Sequence, residues 1–122
     1  MIALRRILAT ALVLHGAIHM IGFAVNWELT ETDGFPYSTE VIAGIDVGTS
    51  GIRIIGGLSV VATPAFVIAV GGVIRKKPWA LTWTLGAAMF SSLLCLLQID
   101  TAWRGLAIDL ILVLSVVMWW SL

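Results

Sequence analysis

The stretch that decides the fold is residues 54–98, which read IIGGLSVVATPAFVIAVGGVIRKKPWALTWTLGAAMFSSLLCLLQ. Two apolar runs lie on either side of a short basic turn in this stretch. Because a helix rises about 1.5 Å per residue, about 20 apolar residues cross the ~30 Å hydrocarbon core of a bilayer. With the flanking runs, the sequence predicts an all-α integral membrane protein, a single four-helix transmembrane bundle whose spans are 7–26, 54–74, 79–98 and 105–120. We count the first run as a span and not as a cleaved leader.

The composition fits lipid as the solvent of the chain. Of 122 residues, 60% are hydrophobic and 11% are charged, whereas a soluble domain carries about 25% charge. A formal net charge of zero gives no overall attraction to nucleic acid, so no nucleic-acid partner is expected. The single cysteine, Cys95, excludes a disulfide within the chain.

Charge and tryptophan positions predict the orientation. Under the positive-inside rule, the Arg5 end and the basic turn at residues 75–77 are cytoplasmic, which puts both termini inside a cell (plasma) membrane. The long loop between helices 1 and 2, residues 27–50, is then an acidic outer loop. Tryptophans mark both predicted interfaces, as an aromatic belt requires: Trp27 and Trp103 outside, and Trp79, Trp119 and Trp120 inside. Inside the loop, an apolar cluster predicts a short element that rests on the mouth of the bundle, formed by Val41, Ile42, Ile45 and Val47.

Small and polar residues at three-and-four spacing predict which helix faces pack, since close backbone approach and polar side chains drive association in lipid. The predicted faces are Leu12, His15, His19, Gly22 and Asn26 on the first span; Arg53, Gly57, Val60, Pro64 and Gly71 on the second; Thr84, Ala87, Ser91, Leu94 and Gln98 on the third; and Gly105, Asp109, Leu112 and Val116 on the fourth. These four faces are expected to line the bundle interior. Pro64 also favours a kink in the second span.

A polar cluster forms the candidate site. His15 and His19 are one turn apart on the first span, and Asp109 is expected at about the depth of His19, so these two side chains can touch. Arg53 and Gln98 are expected to cap the same cavity from above. Buried ionisable groups in membranes are usually paired and face the interior.

Two interpretations of this cluster stay open. In the first, Asp109 is satisfied by Arg53 or His19, and the histidines only hold helices together. In the second, the cluster binds a metal, haem, quinone or proton, with His15 and His19 as the metal ligands. Of possible further ligands only Asp109 or Cys95 is plausible, but Cys95 is predicted on another face of its helix, and no acid lies between the histidines to complete a zinc-protease motif.

The first span reads His15, Gly16, Ala17, Ile18, His19, Met20, Ile21, Gly22, Phe23. This His-x-x-x-His-x-x-Gly-Phe string resembles a set of small four-span bacterial membrane proteins of uncharacterised activity, and the likeness covers most of the chain. In architecture the chain also resembles DoxX-like proteins, some of which are linked to quinone or thiol redox systems. Small multidrug transporters have similar spans but carry a glutamate in the first helix, which this chain lacks.

The functional expectation follows from these patterns. No catalytic motif is present, so an enzyme is not expected. The preferred hypothesis is an accessory or assembly subunit that contacts other membrane subunits or a second copy of itself. The alternative is a ligand-, metal-, haem- or quinone-binding membrane protein that uses the histidine and aspartate cluster, and a small proton-coupled transporter comes third.

Overall fold

The computed structural model describes residues 2–122. Four helices account for most of them: α1 (Ile2–Asn26), α2 (Gly48–Ile74), α3 (Ala80–Leu97) and α4 (Ile99–Ser121). Each is long and apolar enough to cross a membrane. Only isolated β-bridges occur in the described part of the chain, so the predicted all-α class is confirmed.

Three helices begin before their predicted spans: α1 at residue 2 and not 7, α2 at 48 and not 54, and α4 at 99 and not 105. The added residues include charged ones such as Arg5, Arg53 and Arg104. The predicted spans stop at the first charged residues, but the helices include these residues. A long basic side chain near a helix end can extend toward water. As a result α3 and α4 are separated by Gln98 alone.

The helices pack in chain order, α1 on α2, α2 on α3 and α3 on α4, while α1 and α4 meet least. The main apolar core lies in the half of the bundle near the termini and includes Leu12, Phe66 and Val116. A second cluster forms where the 27–47 connection folds back, with Val41 buried against Ile52 and Leu94. The predicted short element is a 3₁₀ turn at Ile42–Gly44 beside this cluster.

The predicted faces of α1, α3 and α4 agree with the buried residues, but that of α2 is wrong. Its buried face runs through Ile52, Ile55, Ser59, Ala62, Phe66, Ala69 and Val73. Pro64 and Arg53 are exposed, and the space beside Gly57 and Gly71 is open. The prediction chose Gly57 and Gly71, whereas the neighbouring glycines, Gly56 and Gly72, are the buried ones and share the inner side of α2 with larger apolar side chains such as Phe66.

Candidate functional site

Three helices bring four polar side chains together in the middle of the bundle. His15 Nε2 lies 2.7 Å from Asp109 Oδ1, and His19 Nε2 lies 2.7 Å from Ser91 Oγ. Ser91 Oγ in turn donates to Asp109 Oδ2 at 2.7 Å. Asp109 is only 1% exposed and His15 only 3%, so this His15–Ser91–Asp109–His19 cluster is shielded from bulk solvent.

The hydrogen-bond directions follow from the single proton on the serine hydroxyl. Because Ser91 gives that proton to Asp109, its oxygen can only accept, and His19 Nε2 must be the donor. His15 Nε2–H likewise donates to the carboxylate. Both histidines are therefore fixed as Nε2–H tautomers when neutral, and the protons form a chain from His19 through Ser91 to Asp109.

Close helix contacts orient the two imidazoles. The Phe66 ring of α2 meets His15 edge-on, with ring centroids 5.2 Å apart, and stacks on His19 at 5.9 Å. A Cβ on Gly16 would lie 2.8 Å from Phe66 Cβ, so glycine here permits α1 and α2 to approach. Thr63 Oγ1 also donates to the Gly16 carbonyl at 2.7 Å.

One polar atom of the cluster has no partner. His15 Nδ1 is buried and hydrogen-bonds to none of the described residues. Such a group costs about 1–3 kcal/mol when it stays unsatisfied in the interior. The His15 side chain borders a cavity, although Nδ1 itself is covered by protein atoms.

The cavity has a volume of about 420 Å³, within the range of small-molecule sites. Its floor is polar and is formed by His15, His19 and Cys95. Its sides are mostly apolar, and three partly exposed isoleucines form its rim: Ile18, Ile21 and Ile108. These isoleucines belong to α1 and α4, so the cavity lies at the weakly packed seam between those two helices.

The structure brings together some of the predicted site residues and leaves one out. His15, His19 and Asp109 share the cluster, although Asp109 bonds to His15 directly and reaches His19 only through Ser91. Gln98 lines the upper cavity and forms a reciprocal amide pair with Asn26, with both N to O distances 3.3 Å.

Arg53 lies away from the cavity. Its guanidinium sits over the Trp27 ring, 5.5 Å from the centroid, and the Trp27 indole N–H donates to its carbonyl oxygen at 2.9 Å. Arg53 neither caps the cavity nor pairs with Asp109, because α2 already begins at Gly48 and Arg53 lies on the exposed face of that helix. Arg104, which lines the cavity from α4, is the basic residue near the mouth.

Sequence reasoning missed three contributors. Ser91 was assigned only to a packing face, and Phe66 was not assigned at all. Cys95 was expected on another face, yet it is one turn after Ser91 and borders the cavity, where a Cβ on Gly105 would lie 2.8 Å from its sulfur. The i, i+4 relation of Ser91 and Cys95 is the signal that places both on one side of α3.

The donor set bears on a metal site. Within residues 2–122 no group of three or more His, Cys, Asp or Glu side chains is arranged to hold a metal ion. The Nε2 atoms of both histidines are already engaged with Ser91 and Asp109. The arrangement is suited instead to hydrogen bonding and to holding or passing a proton.

Comparisons with known proteins add no relatives: no family model, curated protein or solved structure matches this chain. The resemblances to the four-span bacterial proteins and to DoxX-like proteins therefore stay predictions.

Proposed function

We propose that this chain is a multi-pass membrane protein that binds a lipid-soluble small molecule in the cavity between α1 and α4. The observation that carries the proposal is a cavity with apolar sides whose floor includes His15, a residue whose Nδ1 has no hydrogen-bond partner. A ligand with a polar head and an apolar body matches both parts. The quinone-binding alternative from the sequence is one member of this class.

The head group would carry a hydroxyl or a carbonyl oxygen. Neutral His15 donates through Nε2 to Asp109, so its Nδ1 accepts a hydrogen bond from a ligand hydroxyl. If His15 takes up a proton, the Asp109 carboxylate balances its charge and Nδ1 donates to a ligand carbonyl. One imidazole can therefore bind a head group that carries a hydroxyl or a head group that carries a carbonyl oxygen.

The apolar body of the ligand would leave the cavity sideways. Ile18 and Ile108 are partly exposed on either side of the seam, where lipid chains surround the bundle. A molecule dissolved in the bilayer reaches the cluster along this route without crossing water. The loop residues Thr32 and Phe35 cover the end of the cavity away from the termini.

The proposed location is the cell membrane, with both termini on the cytoplasmic side and the 27–47 connection outside. The sequence has five Lys or Arg and no Asp or Glu in residues 1–6 and 75–78, whereas residues 27–47 contain five Asp or Glu and no Lys or Arg. Retention of Lys and Arg in the cytoplasm accounts for this bias. The cavity would then open in the outer half of the bilayer.

A binding experiment with cavity variants tests the proposal. The protein is placed in lipid nanodiscs, a short-chain alkyl benzoquinone or its hydroquinone is added, and quenching of tryptophan fluorescence is recorded. Gly22→Leu adds a side chain to the cavity wall, where a Cβ meets only the Ser59 side chain, at 3.5 Å from Oγ and 3.9 Å from Cβ. We expect at least about tenfold weaker binding, a loss of about 1.4 kcal/mol.

The matched control is Gly86→Leu on α3, because a Cβ there meets nothing within 4 Å and the residue is outside the cavity. Gly86→Leu should bind the probe as tightly as the wild type does. Quinone dissolved in the lipid quenches all three proteins alike, so only the difference between Gly22→Leu and Gly86→Leu reports on the cavity. Equal quenching in the wild type, Gly22→Leu and Gly86→Leu would show that the probe has no site in the cavity and would count against the proposal.

A further inference from the structure

A second pocket lies at the opposite end of the bundle, where the termini meet the α2–α3 turn. Its volume is about 430 Å³, and it is lined by Ile2, Arg5, Lys76, Trp119, Trp120 and Leu122. Two cationic side chains from separate elements thus face one space, with two indoles beside them. The cluster at His15 and its cavity share none of these residues.

This end of the molecule carries positively charged side chains with no acidic side chain to balance them. Five of the seven Lys and Arg residues lie here, namely Arg5, Arg6, Arg75, Lys76 and Lys77. The acidic residues of the chain are in the 27–47 connection, near the start of α4, or in the buried cluster. Within residues 2–122 the only ion pair is that of His15 with Asp109, so Arg5 and Lys76 have no carboxylate partner there.

Lys76 occupies a backbone position that usually belongs to glycine. Its φ is 50°, and it closes α2 in a Schellman motif: Lys77 N bonds to Gly72 O at 2.9 Å and Lys76 N to Val73 O at 3.2 Å. A side chain strains the left-handed conformation, which glycine adopts freely. The chain thus has a lysine, turned toward the pocket, where glycine would fit the backbone better.

We propose that this pocket binds the phosphate head group of an anionic phospholipid. Arg5 and Lys76 donate hydrogen bonds to the phosphate oxygens, and each contributes a positive charge. Basic pockets between membrane helices on the cytoplasmic side are suited to such head groups. Trp119 and Trp120 have amphipathic rings of the kind that sit at head-group level.

The surroundings favour a lipid over a free anion. Ile2, Trp120 and Leu122 are exposed in this lining, so an occupant with acyl chains covers apolar surface that inorganic phosphate leaves exposed. The site holds the lipid at the seam of α1, the α2–α3 turn and the end of α4. Binding there joins elements that are far apart in sequence.

The test compares two lysine variants in two lipids. Thermal unfolding is measured in nanodiscs of phosphatidylcholine with and without phosphatidylglycerol, for the wild type, Lys76→Gly and Lys77→Gly. The wild type should show a higher Tm with phosphatidylglycerol. Lys76→Gly should be more stable than the wild type in pure phosphatidylcholine, because the backbone strain is relieved, yet lose most of the increase that phosphatidylglycerol gives.

Lys77→Gly removes the same charge from a neighbour that does not line the pocket, and it should keep most of the increase. Arg5→Gln supplies a second variant, from α1, and it should lose most of the phosphatidylglycerol-dependent increase in Tm, as Lys76→Gly does. Equal losses in Lys76→Gly and Lys77→Gly would mean diffuse attraction to an anionic surface and would overturn the site. No increase in the wild type, or the same increase from inorganic phosphate in phosphatidylcholine, would also overturn it.

Discussion

Ser91 is the residue that connects the two histidines to the acid. It accepts from His19 and donates to Asp109, so it relays hydrogen bonding between side chains on different helices. Asp109 is ten residues into α4, about 15 Å from the start of the helix. That depth explains why Asp109 pairs with His15. The predicted pairing with His19 is wrong because the predicted span starts at residue 105, which places Asp109 too near the end of the helix.

Replacing Asp109 should be costly because two buried donors would lose their acceptor. We expect Asp109→Ala to reduce the free energy of unfolding by about 1–3 kcal/mol, since the Ser91 hydroxyl loses its acceptor and His15 Nε2–H keeps only its longer, 3.3 Å contact with Ser91 Oγ. Unfolding in mixed micelles with increasing dodecyl sulfate measures the change.

Ser92→Ala is the matched control for Asp109→Ala. Ser92 reaches the same carboxylate oxygen, but at 3.3 Å and from a half-buried position, so its removal should change stability little. Asp109→Ala as stable as Ser92→Ala would contradict the account of the cluster.

At the scale of the element, α1, α3 and α4 could be read from sequence and α2 could not. Polar residues such as His15, Ser91 and Asp109 mark the inner faces of α1, α3 and α4, because polar side chains are unfavourable in lipid. On α2 the inner face combines Phe66 and aliphatic side chains with small residues such as Gly56 and Gly72, and residues of both kinds also occur on its exposed side. The position of the cavity could not be predicted from the sequence either, because it depends on the loose packing of α1 against α4.

The close contact of α1 and α2 gives a prediction for glycine. Gly16→Ala should destabilise the protein by about 1–3 kcal/mol, because the added methyl would overlap Phe66, whose Cβ lies 2.8 Å from the added atom. Gly57→Ala on the open side of α2 should be neutral or slightly stabilising, since alanine is the better helix former. The same unfolding assay compares the two variants, and equal stabilities would show that α1 and α2 do not approach as described.

The start of α2 gives a prediction about pH. The Gly48 amide donates to Asp46 Oδ1 at 2.8 Å, and this bond, with a smaller contribution from the Thr39 side chain, holds the pKa of Asp46 below its ordinary 3.8. A carboxyl group whose pKa is lowered by folding stabilises the folded state at pH values above its ordinary pKa. This stabilisation is lost as the pH falls through the lowered pKa of the folded state.

Asp46→Ala should therefore have a lower Tm than the wild type at neutral pH, and the difference should shrink as the pH is brought below 3.8. Glu31→Ala is the matched control, because it removes an exposed acid of the same connection and leaves the bond between Asp46 and the Gly48 amide in place. A deficit for Asp46→Ala that is unchanged in acid would argue against this bond.

At the scale of the whole molecule, charge is segregated between the two ends. Arg5 and Lys76 share a pocket with Trp119 and Trp120, so both termini and the α2–α3 turn lie at one end. The acidic connection covers the other end, where Thr32 and Phe35 reach the cavity. The hypothesis of an accessory subunit stays a prediction, as does a partner subunit or a second copy.

Orientation can be measured with single cysteines and a membrane-impermeant maleimide on intact cells. In a Cys95→Ala background, Ser38→Cys should react, because it is exposed and the 27–47 connection is proposed to lie outside, whereas Lys77→Cys in the basic turn should react only after lysis. The reverse pattern would invert the proposed topology and put the cavity in the inner half of the bilayer.

The most direct test of the central claim is nitrogen NMR of the His15 imidazole in lipid bilayers. Without ligand, Nε2 should carry the proton shared with Asp109, and Nδ1 should have no hydrogen-bond partner. Adding the short-chain benzoquinone or hydroquinone should shift the Nδ1 resonance in the wild type and in Gly86→Leu, but not in Gly22→Leu. A ligand that binds in the wild type and leaves Nδ1 unchanged, or an Nδ1 already bonded within the empty protein, would contradict the account.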